Sequence, residues 1–201
     1  LSIFSFHPVK HIACGEGGMV TTNNKELRDK IINLRTHGIQ QNPDLKISNH
    51  GPWYYEMQEL GFNYRMTDIQ ASLGISQLKR AGENLEKRIS IAKKYELAFQ
   101  DSPFIISQPG YIEGHAYHLY VIRVRNRNGL YQYLRDKQIY CQIHYIPTHL
   151  MPYYKDLGYN EGDFPVAEEY YSQCLTIPMY PTLEDEDQNY IIEMIKSFYD
   201  E

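Results

Sequence analysis

Cysteine is scarce and dispersed. Only Cys14, Cys141 and Cys174 occur, an odd number with wide spacings and no CxxC pair. That pattern argues against a zinc knuckle and a disulfide framework, and it favours a reducing, cytoplasmic setting. Runs of Lys and Arg are also missing and the net charge is −5, so no general attraction to nucleic acid is expected. No apolar stretch is long enough to span a membrane. The opening LSIFSF has neither a basic n-region nor a cleavage-site pattern, so it is not a signal peptide. It reads as a strand already under way, and the expectation is a fragment whose upstream part is missing.

Tyrosine, in contrast, is plentiful, with 19 copies against a single Trp. Its apolar body and polar tip suit wet pockets and partner surfaces, although half-buried tyrosines also occur in plain cores. A hydrophobic fraction of 42% is enough to build a core, and 201 residues suit one domain, or a small domain plus part of another.

Leu1–Phe6 reads as a buried strand. Gly15, Gly17 and Gly18 mark a turn, and Met19–Thr22 reads as a second strand. Asn23 and Asn24 offer an N-cap for a helix with Leu27, Ile31 and Leu34 on one face, and Gly38 stands where a C′ glycine belongs. A loop punctuated by Asn42-Pro43-Asp44 and His50-Gly51-Pro52 then runs from Ile39 to about Tyr64. A loop of that length is more often functional or mobile than idle. Thr67 with Gln70 spells a capping box for a helix with Ile69, Leu73 and Leu78 inside.

A helical pattern resumes from Glu83 to about Gln100, with Leu85, Ile89, Ala92 and Phe99 repeating. Beyond Pro103, strands are expected at Phe104–Ser107, Tyr117–Val124 and Ile139–Tyr145, with a helix from about Asn128 to Lys137. Pro165 opens another helix, and Thr182 is expected to cap a last one with Tyr190, Met194, Ile195 and Phe198 on its inner side. The order of strands and helices is that of a small α/β layer domain.

Ser5-Phe6-His7-Pro8-Val9-Lys10 followed by Gly15-Glu16-Gly17-Gly18 is by itself a strand end, a turn and a strand. The glycine run is neither a Walker loop nor a dinucleotide fingerprint. Four further segments stand downstream in order: Arg35-Thr36-His37-Gly38, then Leu60 to Ala71 (LGFNYRMTDIQA), then Tyr117 to Arg123 (YHLYVIR), then His144 to Tyr154 (HYIPTHLMPYY). Together the five segments resemble the DegT/DnrJ/StrS family of sugar aminotransferases across nearly the whole chain. The wording most resembles members that aminate a UDP-linked 4-keto sugar.

The resemblance implies an α/β chain that is the C-terminal half of an aspartate-aminotransferase-like, type I pyridoxal-phosphate fold. Residues 1–75 would be the end of the large mixed-sheet cofactor domain, and 76–201 the linking helix with the small C-terminal domain. It implies pyridoxal 5′-phosphate as cofactor, Lys10 as the lysine that holds it, and a nucleotide-linked 4-keto sugar and an amino acid, glutamate, as substrates. It also implies a homodimer with shared sites. A histidine at position 10 would have pointed to the family's dehydratase branch.

By the same resemblance, the Ser5 hydroxyl binds the cofactor phosphate, though an ordinary strand serine is the plain alternative. Asn63 reaches the cofactor phosphate of the neighbouring subunit, with a loop-closing asparagine as its plain alternative. Arg65 is placed toward the substrate, with a surface ion pair as its rival reading. Tyr145 faces the sugar, and Thr148, His149, Leu150 and Met151 line the nucleotide or its diphosphate. His7 could serve the cofactor or be a satisfied core histidine. His144 and His149 could be read as a metal pair, but no nearby residues complete a ligand set, so no metal is expected.

In the family, the upstream half supplies the acid that faces the pyridine nitrogen, so this polypeptide alone is expected to be a poor catalyst. Two rivals remain: a family member acting on another sugar position or nucleotide, and a folded, non-catalytic fragment.

Overall fold

The computed structural model describes residues 1–40 and 42–200, which divide into two compact units, Leu1–Ala81 and Gly82–Glu201.

In the first unit, β1 (Ser2–Ser5) pairs antiparallel with β2 (Gly18–Thr21), Ser2 opposite Thr21 and Ser5 opposite Gly18. The pairing extends beyond the strands, with Phe6 N–H donating to Gly17 O and Cys14 N–H to Phe6 O. Both strands are exposed throughout, with Ile3 77% and Phe4 50% accessible. That corrects the expectation of a buried strand: apolar composition indicates what a strand can bury, not what lies over it.

Helix α1 (Lys25–Arg35) starts on Asn24, whose side chain accepts from Leu27 N–H. Its expected inner face is only half met, because Leu27 is exposed while Ile31 and Leu34 are half-buried. Its exit also differs from expectation by one residue. Thr36 is the C-cap, His37 takes the left-handed C′ position with φ +59, and Gly38 follows with φ +66. Gly38 N–H closes the helix on Asn33 O at 2.9 Å, the long-range bond of a Schellman ending. His37 N–H is taken instead by Phe62 O, so a tertiary contact decides the cap.

The expected long loop is not structureless. β3 (Ile39–Gln40) pairs antiparallel with β4 (Glu56–Met57), and a 3-10 turn spans Pro43–Leu45. Glu56 organises the connection, because its carboxylate accepts from Ile47 N–H, from the Tyr54 hydroxyl at 2.6 Å and from Gln58 Nε2 at 3.1 Å. These donors, the tyrosine first, hold its carboxyl down to about 2. Helix α2 (Asp68–Leu78) opens on the expected Thr67–Gln70 capping box, with both reciprocal bonds formed. Ile69, Leu73 and Leu78, expected inside, are exposed.

The second unit holds the hydrophobic core. Helix α3 (Ala81–Phe99) is followed by β5 (Ile105–Ser107), β6 (Tyr120–Val124), α4 (Arg127–Asp136), α5 (Pro152–Asp156), α6 (Pro165–Gln173), β7 (Cys174–Ile177) and α7 (Asp185–Asp200). The sheet order is β5-β6-β7, antiparallel throughout. Side chains alternate across a strand, and β6 uses both faces. Tyr120, Ile122 and Val124 are buried, and Tyr120 meets Tyr95 of α3 at 5.1 Å between ring centres. On the other face Arg123 reaches Gln173 and Glu169 of α6. Leu130 and Leu134 of α4 and Ile191 and Ile195 of α7 complete the core. Each such aliphatic side chain contributes about 1.5–3 kcal/mol when fully buried.

One buried cation braces this unit. Arg88 donates through Nη1 to the carbonyls of Tyr117, His118 and Met179, joining α3 to two separate connections. Ile139–Tyr145, expected as a strand, makes only the isolated bridge Gln142 to Thr176. The third strand of the sheet is β7, which sequence reading did not anticipate. Thr182 does not cap the last helix, which begins at Asp185, and Tyr190, expected on its inner side, is 42% exposed.

Candidate active site

In the first unit, the Lys10 motif forms the connection between β1 and β2. Lys10 is half-buried, and its N–H donates to His7 O at 2.9 Å, closing a tight turn. Among the described residues, no carboxylate lies within ion-pair distance of its amine. The Ser5 hydroxyl sits at the strand end, exposed, and accepts from His7 N–H at 3.4 Å. His7 lies 4.0 Å from Glu16. The hairpin thus presents a primary amine and a hydroxyl from one short loop. These are the groups needed to condense with an aldehyde and to bind a phosphate, so the donor set fits pyridoxal phosphate.

Three of the sequence motifs converge here. The Cys14 thiol lies 3.8 Å from the Met66 sulfur. A Cβ added to Gly17 would stand 2.8 Å from that same sulfur, so the glycine lets Met66 approach the hairpin. The segment through Asn63 lies along the end of α1. Phe62 N–H donates to Leu34 O at 2.7 Å, Tyr64 N–H to Arg35 O at 2.9 Å, and Thr36 bridges Asn63. These bonds satisfy carbonyls that a helix end leaves open. The two backbones come so close that a Cβ on Gly61 would stand 2.0 Å from Gly38 N. Asn63 itself is exposed, and among the described residues its side-chain amide makes no hydrogen bond; Arg65 is exposed as well.

In the second unit, the predicted substrate segment spans the connection from β6 and α4 to α6. His144 Nδ1 lies 2.7 Å from Thr176 Oγ1, and burial pushes its pKa down. Next to it Tyr145 is 70% exposed. A 3-10 turn covers Thr148–Leu150; Thr148 and Met151 are accessible and Leu150 is half-buried. His149 differs from its neighbours. It is buried, with Nε2 2.7 Å from Glu168 Oε1. Among the described residues no cluster of His, Cys, Asp and Glu could hold a metal. Two open depressions flank this segment. One is lined by Thr148, His149, Tyr154 and Tyr159, the other by Tyr145, Val166 and Tyr170, and both share Pro147, Phe164 and Ala167.

Sequence reading missed Glu168. A glutamate in a short polar helix reads as solvated, and a partner 19 residues away leaves no periodic signal.

The DegT/DnrJ/EryC1/StrS aminotransferase family model matches residues 1–196. Among curated proteins, the chain is 41% identical over 202 residues to the spore coat polysaccharide biosynthesis protein SpsC of Bacillus subtilis, covering 96% of this chain and 52% of that protein. It is 37% identical over 204 residues to a UDP-4-amino-4,6-dideoxy-N-acetyl-beta-L-altrosamine transaminase of Campylobacter jejuni, covering 98% and 52%. The chain therefore spans about half the length of these relatives. Among solved structures, the PMP form of the putative sugar aminotransferase Spr1654 from Streptococcus pneumoniae superposes with a TM-score of 0.87 at 31% identity, covering 98% of this chain and 52% of that one. Helicobacter pylori PseC, an aminotransferase of pseudaminic acid biosynthesis, superposes with a TM-score of 0.87 at 29% identity, covering 98% and 53%. The expected fold is that of these neighbours, and a match over almost every residue leaves one assignment: the chain belongs to the DegT/DnrJ/EryC1/StrS aminotransferase family.

Proposed function

We propose that the full-length protein is a cytoplasmic, pyridoxal-phosphate-dependent aminotransferase. It takes an amino group from glutamate and delivers it to a UDP-linked 4-keto sugar in amino-sugar biosynthesis. The observation that carries this reading is the β1–β2 hairpin, which offers the Lys10 amine free of any carboxylate partner among the described residues. Residues 1–75 are read as the end of the large cofactor domain and 76–201 as the linking helix and small domain. The open apolar side chains of β1 support that reading, because a two-stranded ribbon is marginal by itself.

When bound, the cofactor supplies an electron sink for the carbon that gives up its proton. The protein supplies position and proton transfer. Lys10 Nζ is the group that would hold the cofactor, and as a free amine it would accept and return the proton that moves between carbon atoms. Ser5 would donate its hydroxyl hydrogen to the cofactor phosphate. In the second unit, Tyr145 faces the sugar, with Thr148, His149, Leu150 and Met151 bordering the nucleotide. Arg65, with its five donors, is assigned to anionic oxygens of the substrate. Reduction of the loaded protein with borohydride, followed by peptide mapping, should place the label on Lys10. Label on another lysine would remove the basis of the assignment.

Asn63 is assigned to the phosphate held by the neighbouring subunit of a homodimer. Its free, exposed amide supports this. An Asn63→Ala subunit and a Lys10→Ala subunit should each be inactive alone. Mixed dimers should regain up to about a quarter to a half of wild-type activity, because one of the two sites then carries both intact residues. Confirmed mixed dimers with no activity would rule out sharing.

A further inference from the structure

Glu168 ties together three pieces of the second unit. Its Oε1 accepts from His149 Nε2 at 2.7 Å, Gly162 N–H approaches both carboxylate oxygens at 2.9 and 3.0 Å, and Phe164 N–H reaches Oε1 at 3.4 Å. The His149 bond above all, helped by the two backbone donors, holds this carboxyl below the usual carboxylate range. An ionised carboxylate only accepts, so Nε2 carries a hydrogen and is committed to Glu168. The pair is shielded, with side chains 7% and 17% exposed. The His149 ring also lies 4.8 Å from that of Phe164. Phe164 remains 48% exposed and forms the wall that both depressions share.

We infer that Glu168 is a positioning residue for the nucleotide-sugar. It acts through His149 and the Gly162–Phe164 turn to hold the Phe164 wall against the Thr148–Leu150 turn. His149 then serves the site from behind, as a brace, rather than as a phosphate ligand through Nε2. The inference rests on the proposed reading of Tyr145–Met151 as the substrate segment. A turn rich in exposed residues has several backbone states of similar energy, and a carboxylate with three donors selects one of them. A binding wall held in one state avoids an ordering cost each time substrate enters.

The test uses the full-length, cofactor-loaded protein with Glu168→Ala, Glu168→Gln and Phe164→Ala. Three quantities are read: the KM for the UDP-sugar, the Kd of UDP by calorimetry, and the rate of the half-reaction with glutamate. Glu168→Ala should raise the sugar KM and the UDP Kd about tenfold or more, since an ångström-scale displacement of a positioning group is enough for such losses. The glutamate half-reaction should be unchanged. Glu168→Gln, whose amide oxygen still accepts from the backbone, should fall between. Phe164→Ala should reproduce the loss with the pair intact, which separates the effect from misfolding. Equal losses in both half-reactions would mark a merely structural role and overturn the inference. If Tyr145→Ala weakens UDP binding while Glu168→Ala and Phe164→Ala do not, the inference fails and the substrate segment stands. If none of them matters, the reading of the segment fails with it.

Discussion

Lys10→Ala is expected to lower amino transfer by roughly a thousandfold or more in the full-length protein, because in the proposed function one side chain supplies both the covalent anchor and the proton shuttle. Lys10→Arg should be no better, since a guanidinium stays charged and cannot serve as the nucleophile. The geometry sharpens the expectation. Lys10 lies in a turn whose two ends are clamped by the Phe6–Gly17 and Cys14–Phe6 backbone bonds, so the chain around it stays fixed when the side chain changes. Loss of activity should therefore come without loss of folding, and cofactor should still be retained weakly through its phosphate. Added small amines should restore a fraction of the rate to Lys10→Ala and none to Lys10→Arg. A control at Lys25→Ala, a surface position at the start of α1, should stay within about twofold. Comparable losses at the two lysines, or near wild-type turnover in Lys10→Ala, would sink the assignment.

The second large effect concerns stability. Gly61→Ala is expected to destabilise the protein by about 3 kcal/mol, the upper end of overpacking costs. Its Cβ would stand 2.0 Å from Gly38 N and 2.4 Å from His37 C. Both obstacles are backbone, so no flexible side chain can swing aside. The segment through Asn63 must then separate from the end of α1, breaking the Phe62–Leu34, His37–Phe62 and Tyr64–Arg35 bonds. Asn63 would shift with it, so with Asn63 in its proposed phosphate-binding role, cofactor affinity should fall alongside stability. Gly114→Ala supplies the comparison. That glycine has φ +76 but open space around a Cβ, so only the left-handed penalty of about 1–2 kcal/mol applies. Urea denaturation of the two variants measures the difference. Equal costs, or an unperturbed midpoint for Gly61→Ala, would show that the two backbones can separate there without loss and would overturn the prediction.

Parts of the site were legible because they depend on short-range chemistry. The Asn24 cap and the Thr67–Gln70 box follow from side-chain oxygens within three residues of the N–H groups they satisfy. The Lys10 hairpin was marked by three glycines in a row of four. Other parts were illegible for equally physical reasons. Helix α6 runs into β7 at Cys174 with no glycine, proline or asparagine between them, so a strand buried on both faces carried no boundary signal. His149 was placed on the ligand by its motif, yet its Nε2 belongs to a glutamate that nothing local connects to it.

Sequence alone determined the family, Lys10 as the residue to test, and the described α-helices except the short α5, because motif order, caps and the 3.6-residue period are written within a few residues of one another. Only the tertiary structure decided burial and partnership. Ile3, Leu73 and Leu78 are as apolar as Ile122 and Leu134, and the first three are exposed while the last two are buried. Hydrophobicity is a property of the side chain, whereas burial is a property of what covers it. Glu168 and Glu169 are adjacent and chemically identical, yet one lies in a shielded pair with His149 and the other in a more open bridge to Arg123. What separates them is the direction in which α6 turns each side chain, and the packing of that helix against the sheet sets it.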